Sequence, residues 1–268
     1  MEAPKIPVVA NPWQQLRRFT QARIALGRVG GSVPTQPHLE FQLAHARARD
    51  AVHHPLDVDK LKLQLTKRNY KVLALHSAAE NRQTYLQRPD LGRRLAPDSR
   101  KLLETWSDSS PGGYDLAIVV ADGLSAFAIE ENAVSFLEVL NAKLNTEKLR
   151  VAPLAIVEQG RVAIGDEVGE ALHAEIVIVL IGERPGLSSP DSMGIYLTYR
   201  PRAGRTDAER NCISNIRREG LSYEVAAHKL HYLIREARSL RLSGVGLKDE
   251  ADATQEISLG RNFLVAPK

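Results

Sequence analysis

Two short segments put a carboxylate beside glycines directly after an apolar run, a setting for acid–base chemistry or for polar contacts to a ligand. One is Asp122-Gly123-Leu124-Ser125, and the other is Gly182-Glu183-Arg184-Pro185-Gly186. In the first, glycine permits close backbone approach, and the amides after it could meet an anionic or polar edge. In the second, a charged pair bracketed by glycines suits contacts to a bound molecule. Each has a plainer reading. Asp122-Gly123 serves equally as a tight turn, and Glu183-Arg184 as a local ion pair that anchors a loop. The single cysteine, Cys212, reads locally as a small apolar residue rather than a reactive thiol.

Other chemistries lack their residues. There is no Walker-type phosphate loop and no Gly-x-Ser-x-Gly nucleophile turn, and Gly244-Val245-Gly246 lacks the third glycine of a dinucleotide fingerprint. His53-His54 diverge on a helix, and His228 and His231 stand three apart without completing a zinc ligand set. A hydrolase, a nicotinamide dehydrogenase and a metalloenzyme are disfavoured, and no metal site is expected. A binding domain without catalytic residues of its own remains. The alternatives are a stand-alone α/β enzyme using Glu183 or Asp122 as its acid–base group, and a pure scaffold.

The elements that position these segments can be read from periodicity. LAIVVA at 116–121 and EIVIVLI at 175–181 are continuous apolar runs, as in strands buried on both faces. Residues 154–157 and 195–199 are further strand candidates. Helices are predicted over 125–144 and 223–240. Strand–helix alternation predicts an α/β fold, a parallel sheet with helices on both faces, and puts both segments at the carboxyl ends of strands, where ligands bind. Upstream of the polar stretch 108–113, which ends in Pro111-Gly112-Gly113, the pattern is helical. Asn11-Pro12 predicts a helix start, with Trp13, Leu16 and Phe19 spaced by three and Gly27 as its end. Further helices are predicted over 37–54, 58–64 and 77–86. The chain is expected to divide into a helical N-terminal region over 1–107 and an α/β domain over 108–268.

Composition narrows the class. The chain has 268 residues, 43% hydrophobic and 25% charged, ordinary for a soluble protein with a full core. No apolar run approaches the roughly 20 residues that span a membrane, no secretory signal is visible, and one cysteine fits a reducing compartment. A soluble, cytoplasmic protein with no membrane partner is expected. The net charge of +4 comes from 36 basic residues interspersed with 32 acidic ones, and aromatics are only 5%, which argues against a nucleic-acid partner.

Longer strings carry a resemblance. TQARIALGR (20–28), LEFQLAHARARDAV (39–52), YLQRPDLGRRL (85–95), VVADGLSA (119–126), GRVAIGDEVG (160–169), LIGERPGL (180–187) and ERNCISNIRREGLSYEVAAHKL (209–230) resemble the small subunit of ethanolamine ammonia-lyases, in order, from about residue 11 to 240. The resemblance implies a Rossmann-like domain over 108–268 that covers adenosylcobalamin at an interface with a large subunit, with 1–107 docking that partner. It also implies conversion of ethanolamine to acetaldehyde and ammonia by radical chemistry, with ethanolamine and the catalytic residues on the large subunit. The docking role of 1–107 is a candidate reading of its helices, with Trp13 and the ARIALGR loop, and packing on their own sheet is the equal alternative. The cobalamin-contacting positions it implies are Val162, Glu183 and Cys212. Strand-end logic independently favours Glu183, and adds Asp122, Gly123, Ser125 and Arg184. No Asp-x-His-x-x-Gly string occurs, so the cofactor is expected to keep its own base, with no cobalt ligand from this chain. Relatives packaged in a bacterial microcompartment carry an extra amphipathic targeting helix. Only ten residues precede Asn11, too few for one, so plain cytoplasm is the expectation and a microcompartment the alternative.

Overall fold

A computed structural model describes residues 8–108, 112–145 and 147–251. Its strands are β1 (Val72–His76), β2 (Tyr114–Ala121), β3 (Leu154–Glu158), β4 (Ala174–Gly182), β5 (Met193–Tyr199) and β6 (Arg210–Ile216), in one sheet of order β1-β3-β2-β4-β5-β6. The first four are parallel; β5 pairs antiparallel with β4, and β6 antiparallel with β5. The expected parallel sheet is thus a mixed one. The reason is connection length: residues 183–192 and 200–209 are too few for a helical crossover, so the chain can only turn back.

The helices are α1 (Thr35–His53), α2 (Val58–Thr66), α3 (Arg82–Gln87), α4 (Pro97–Asp108), α5 (Ala126–Leu144), α6 (Ile164–Ala171) and α7 (Tyr223–Leu240). Alternate strand residues face two cores. One joins Ile118, Val120, Ile156, Ile178, Leu180 and Leu197 to α2, α5 and α7. The other joins Val119, Val157, Val177, Val179 and Ile181 to Leu103 of α4 and Ile164 and Val168 of α6. β2 leads through α5 to β3 on one side of it, and β3 leads through α6 to β4 on the other. The loops after β2, β3 and β4 therefore gather where the winding reverses.

Several expectations change in detail. The helical region 1–107 contains a strand: β1 is an edge strand in which only Leu73 and Leu75 are fully buried, a pattern too short to stand out among helices. Leu61, Leu65, Leu73, Leu75 and Leu103 share their cores with β2–β4, so both cores draw on residues from either side of position 107. The helix expected over 77–86 begins only at Arg82, capped by Asn81, whose side chain accepts from the Thr84 amide. Asn11 does cap a helix, by accepting from the Trp13 amide at 2.9 Å, but it is a 3-10 helix over Pro12–Phe19 that buries no residue and stops well before Gly27. Among the described residues, no helix is long and apolar enough to cross a membrane.

Candidate functional site

The two segments singled out by residue type meet. The Leu124 amide donates to the Gly182 carbonyl at 2.9 Å, and Gly123, in the left-handed region at φ 59°, packs against that carbonyl. Asp122, Gly123 and Ser125 nevertheless turn inward. The Asp122 carboxylate accepts from the Gln159 and Gly160 amides at 3.0 Å each, and Arg82 lies 3.6 Å away. Asp122 thereby ties the end of β2 to the loop after β3. Ser125 caps α5 by accepting from the Ala128 amide, and its hydroxyl donates to the Pro190 carbonyl at 2.7 Å. These polar atoms are engaged within the fold.

Burial pushes the Asp122 carboxyl up to about 6, against the downward pull of Arg82 and the surrounding amides. Between its ordinary 3.8 and that value, the folded chain holds a proton that the unfolded chain releases. Stability from this group is therefore present below that window and declines as pH rises through it. Asp122→Asn is expected to flatten that slope. Denaturant unfolding at a series of pH values across the window checks it, and an unchanged slope would contradict the assignment.

A second face is open. Along β5, Gly194, Tyr196 and Thr198 alternate toward the α6 side; on β6, Arg210 opposes Thr198 and Cys212 opposes Tyr196. At one end of this ladder Arg210 is locked to Asp166 of α6 by two bonds of 2.6 Å. At the other end lies Glu183, leaving β4. Its carboxylate accepts from the Ser192 and Ser214 hydroxyls and from the Asn215 amide. Three donors on a group with about four acceptor positions leave room for one more. Arg184, the next residue, is exposed, and none of the Glu183 bonds among the described residues comes from it, so the two do not form the local ion pair.

Cys212 is exposed between these ends. Partial desolvation pushes its thiol up; the Tyr196 hydroxyl opposes this and the Glu183 charge adds to it. The net push is upward, so the Cys212 thiol stays protonated at neutral pH. Val162 sits in the turn before α6 and lines a cleft of about 680 Å³ together with Tyr196. Val162, Glu183 and Cys212, which come from three separate segments, thus converge around Tyr196. Sequence reasoning missed Tyr196, Ser192 and Ser214. For Tyr196 and Ser214 the only signal is the alternation in GIYLTY and NCISNI, the second too polar to read as a strand, and Ser192 precedes the first string with no signal of its own.

A model of the ethanolamine ammonia-lyase light chain matches residues 10–248. The chain belongs to that family. It is 58% identical over 262 residues to the ethanolamine ammonia-lyase small subunit of Azotobacter vinelandii, covering 97% of each chain. It is 57% identical over 271 residues to that of Xanthomonas campestris pv. campestris, covering 99% of each, and 56% identical to that of Ralstonia nicotianae, covering 96% of each. The resemblance carried by the motif strings is borne out, and the chain is a lyase subunit. His231, which lacked a partner by sequence, bonds Glu147 at 3.1 Å, so tertiary contact supplies a structural role for it.

Proposed function

We propose that this chain forms one wall of an adenosylcobalamin site that a large subunit completes, in an enzyme converting ethanolamine to acetaldehyde and ammonia. One observation carries the reading: Tyr196 lines the cleft with Val162 and has Cys212 opposite it and Glu183 near it, and Glu183 keeps an unfilled acceptor position. The fit is chemical. A corrin rim bears amides, which suit the Glu183 acceptor, while Tyr196, Val162 and the neutral Cys212 offer apolar contact. The cleft lies in the roughly 300–1,000 Å³ range of drug-sized ligands, smaller than a corrinoid needs, so a second chain must cover the remainder.

Homolysis of the cobalt–carbon bond is the chemistry supplied when adenosylcobalamin is bound. This chain's residues position and exclude water. Glu183 orients the rim through its held carboxylate, and the Asp166–Arg210 pair fixes α6 against β6, so that Val162 and Cys212 keep their spacing. The cofactor is expected to retain its own base, and EPR of the cob(II)alamin form of the complex, free of a histidine nitrogen on cobalt, is the expected readout. The parallel β1–β4 with α5 and α6 on opposite faces supports a Rossmann-like description of the sheet domain. The N-terminal segment supports the partner: Trp13 is 65% exposed, and Phe19, Leu39, Phe41 and Leu43 are exposed with it. A cytoplasmic location is the reading we favour.

In the complex with its large subunit, Glu183→Ala is expected to weaken adenosylcobalamin binding about tenfold or more, and Glu183→Gln less. Equilibrium dialysis of the corrinoid against assembled complex reads this. Unchanged retention in Glu183→Ala with assembly intact would refute the proposed wall.

A further inference from the structure

The cleft beside Val162 is richer in cations than amide recognition requires. Arg93, Arg94, Arg161 and Arg205 line it, together with Asp166, Glu167 and Asp207. The carboxylates are already matched: Asp166 and Asp207 bond Arg210, and Glu167 bonds Arg100 at 2.6 Å. Arg205 pairs with Glu209. Arg94 also acts on Asp90, a carboxylate already bonded by Arg88. Among the described residues, this leaves Arg93, Arg94 and Arg161 with no carboxylate bonded to them.

Their placement is built by the fold. The Arg161 amide donates to the Gly92 carbonyl at 2.7 Å, clamping the 3-10 turn Leu91–Arg93 against the start of α6. Arg161 itself lies with its guanidinium carbon 4.3 Å from the Tyr85 ring centre, donating to the Tyr85 carbonyl at 3.2 Å. Its Nε is buried without a partner. A stacked arginine with donor capacity left over, flanked by two further arginines, suits an oxyanion that can take several charge-assisted hydrogen bonds.

We propose that Arg93, Arg94 and Arg161 bind the phosphodiester of the nucleotide loop of cobalamin. The proposal rests on the cobalamin reading above and deepens it. The corrin side chains of cobalamin are neutral amides and its phosphodiester is a permanent anion, so that group is the one that three unmatched guanidinium groups select. Glu183 and the arginines then divide the ligand between them, the carboxylate toward the amide rim and the cations toward the nucleotide loop.

The test compares two corrinoids on the assembled complex by equilibrium dialysis: adenosylcobalamin, and adenosylcobinamide, which lacks the nucleotide loop and its phosphate. Arg161→Gln is expected to weaken adenosylcobalamin binding about tenfold or more while leaving adenosylcobinamide unchanged. Because Arg161 also stacks on Tyr85, the double variant Arg93→Gln/Arg94→Gln, at exposed positions, is measured beside it with the same expectation. Equal losses for both corrinoids would overturn the proposal, since the arginines would then act away from the loop. Unchanged binding of both by both variants would overturn it too, and would leave the cleft to a free anion. A wild-type complex that binds neither corrinoid refutes the cobalamin reading and this proposal together; one that binds both, with variants indifferent, refutes this proposal alone.

Discussion

Arg210→Ala is expected to destabilise the fold by about 3–5 kcal/mol, the range for breaking one side of a buried ion pair. The side chains of Arg210 and Asp166 are each 2% exposed. The guanidinium makes two 2.6 Å bonds to Asp166 and further bonds to Thr198 Oγ1 and the Arg205 carbonyl, both at 3.0 Å. Truncation would leave a carboxylate in the interior without its hydrogen-bonded counterion, with only the pull of Arg205 remaining. Burial already pushes the Asp166 carboxyl up, with Arg210 as the main opposing influence, so the variant's Asp166 should take up a proton on folding. Stability of the variant should therefore fall more steeply with rising pH than that of the wild type. The double variant Asp166→Leu/Arg210→Met removes both charges at similar volume and should recover much of the loss. Urea unfolding of both variants beside the wild type separates the outcomes. A double variant as unstable as Arg210→Ala would mean that packing at this site, and not charge, dominates.

Gly123→Ala is the second large effect, expected to cost about 2–4 kcal/mol. Two contributions add. The residue sits at φ 59°, where a Cβ costs roughly 1–2 kcal/mol. That Cβ would also lie 2.2 Å from the Gly182 carbonyl oxygen and 2.5 Å from the Ile181 side chain, which forces apart the ends of β2 and β4 at about 1–3 kcal/mol. The lower chain entropy of alanine returns about 0.4–1 kcal/mol. Gly204→Ala separates the two contributions, because Gly204 has a positive φ but nothing within 4 Å of the added carbon. Thermal unfolding should show a clearly larger drop for Gly123→Ala. Equal drops would remove the clash from the account. The shift should also reach function, since Glu183 follows Gly182 directly.

What could be read along the chain was whatever is local. The apolar runs of β2 and β4 announce strands buried on both faces, because a parallel sheet covered by helices on each side needs no polar alternation. Ser125 and Asn11 cap helices through bonds that span only a few residues. The family is written in strings such as LIGERPGL and NCISNI, and Glu183 was reachable from strand-end position alone. The tertiary structure decided the rest. The direction of β5 follows from a short return loop and leaves no mark in its own residues. β1 and β6 are strands only because the sheet offers them partners: one is short with two buried residues, the other polar on its open side. Asp122 and Glu183 occupy equivalent strand ends, yet one faces the amides of Gln159 and Gly160 and the other an open ladder, a difference set by which strand lies alongside. Tyr196 beside Cys212, and Arg161 beside Arg93 and Arg94, are neighbours through strand order and the Gly92–Arg161 clamp. Pairings so distant in sequence arise from burying two cores at once, and no local preference encodes them.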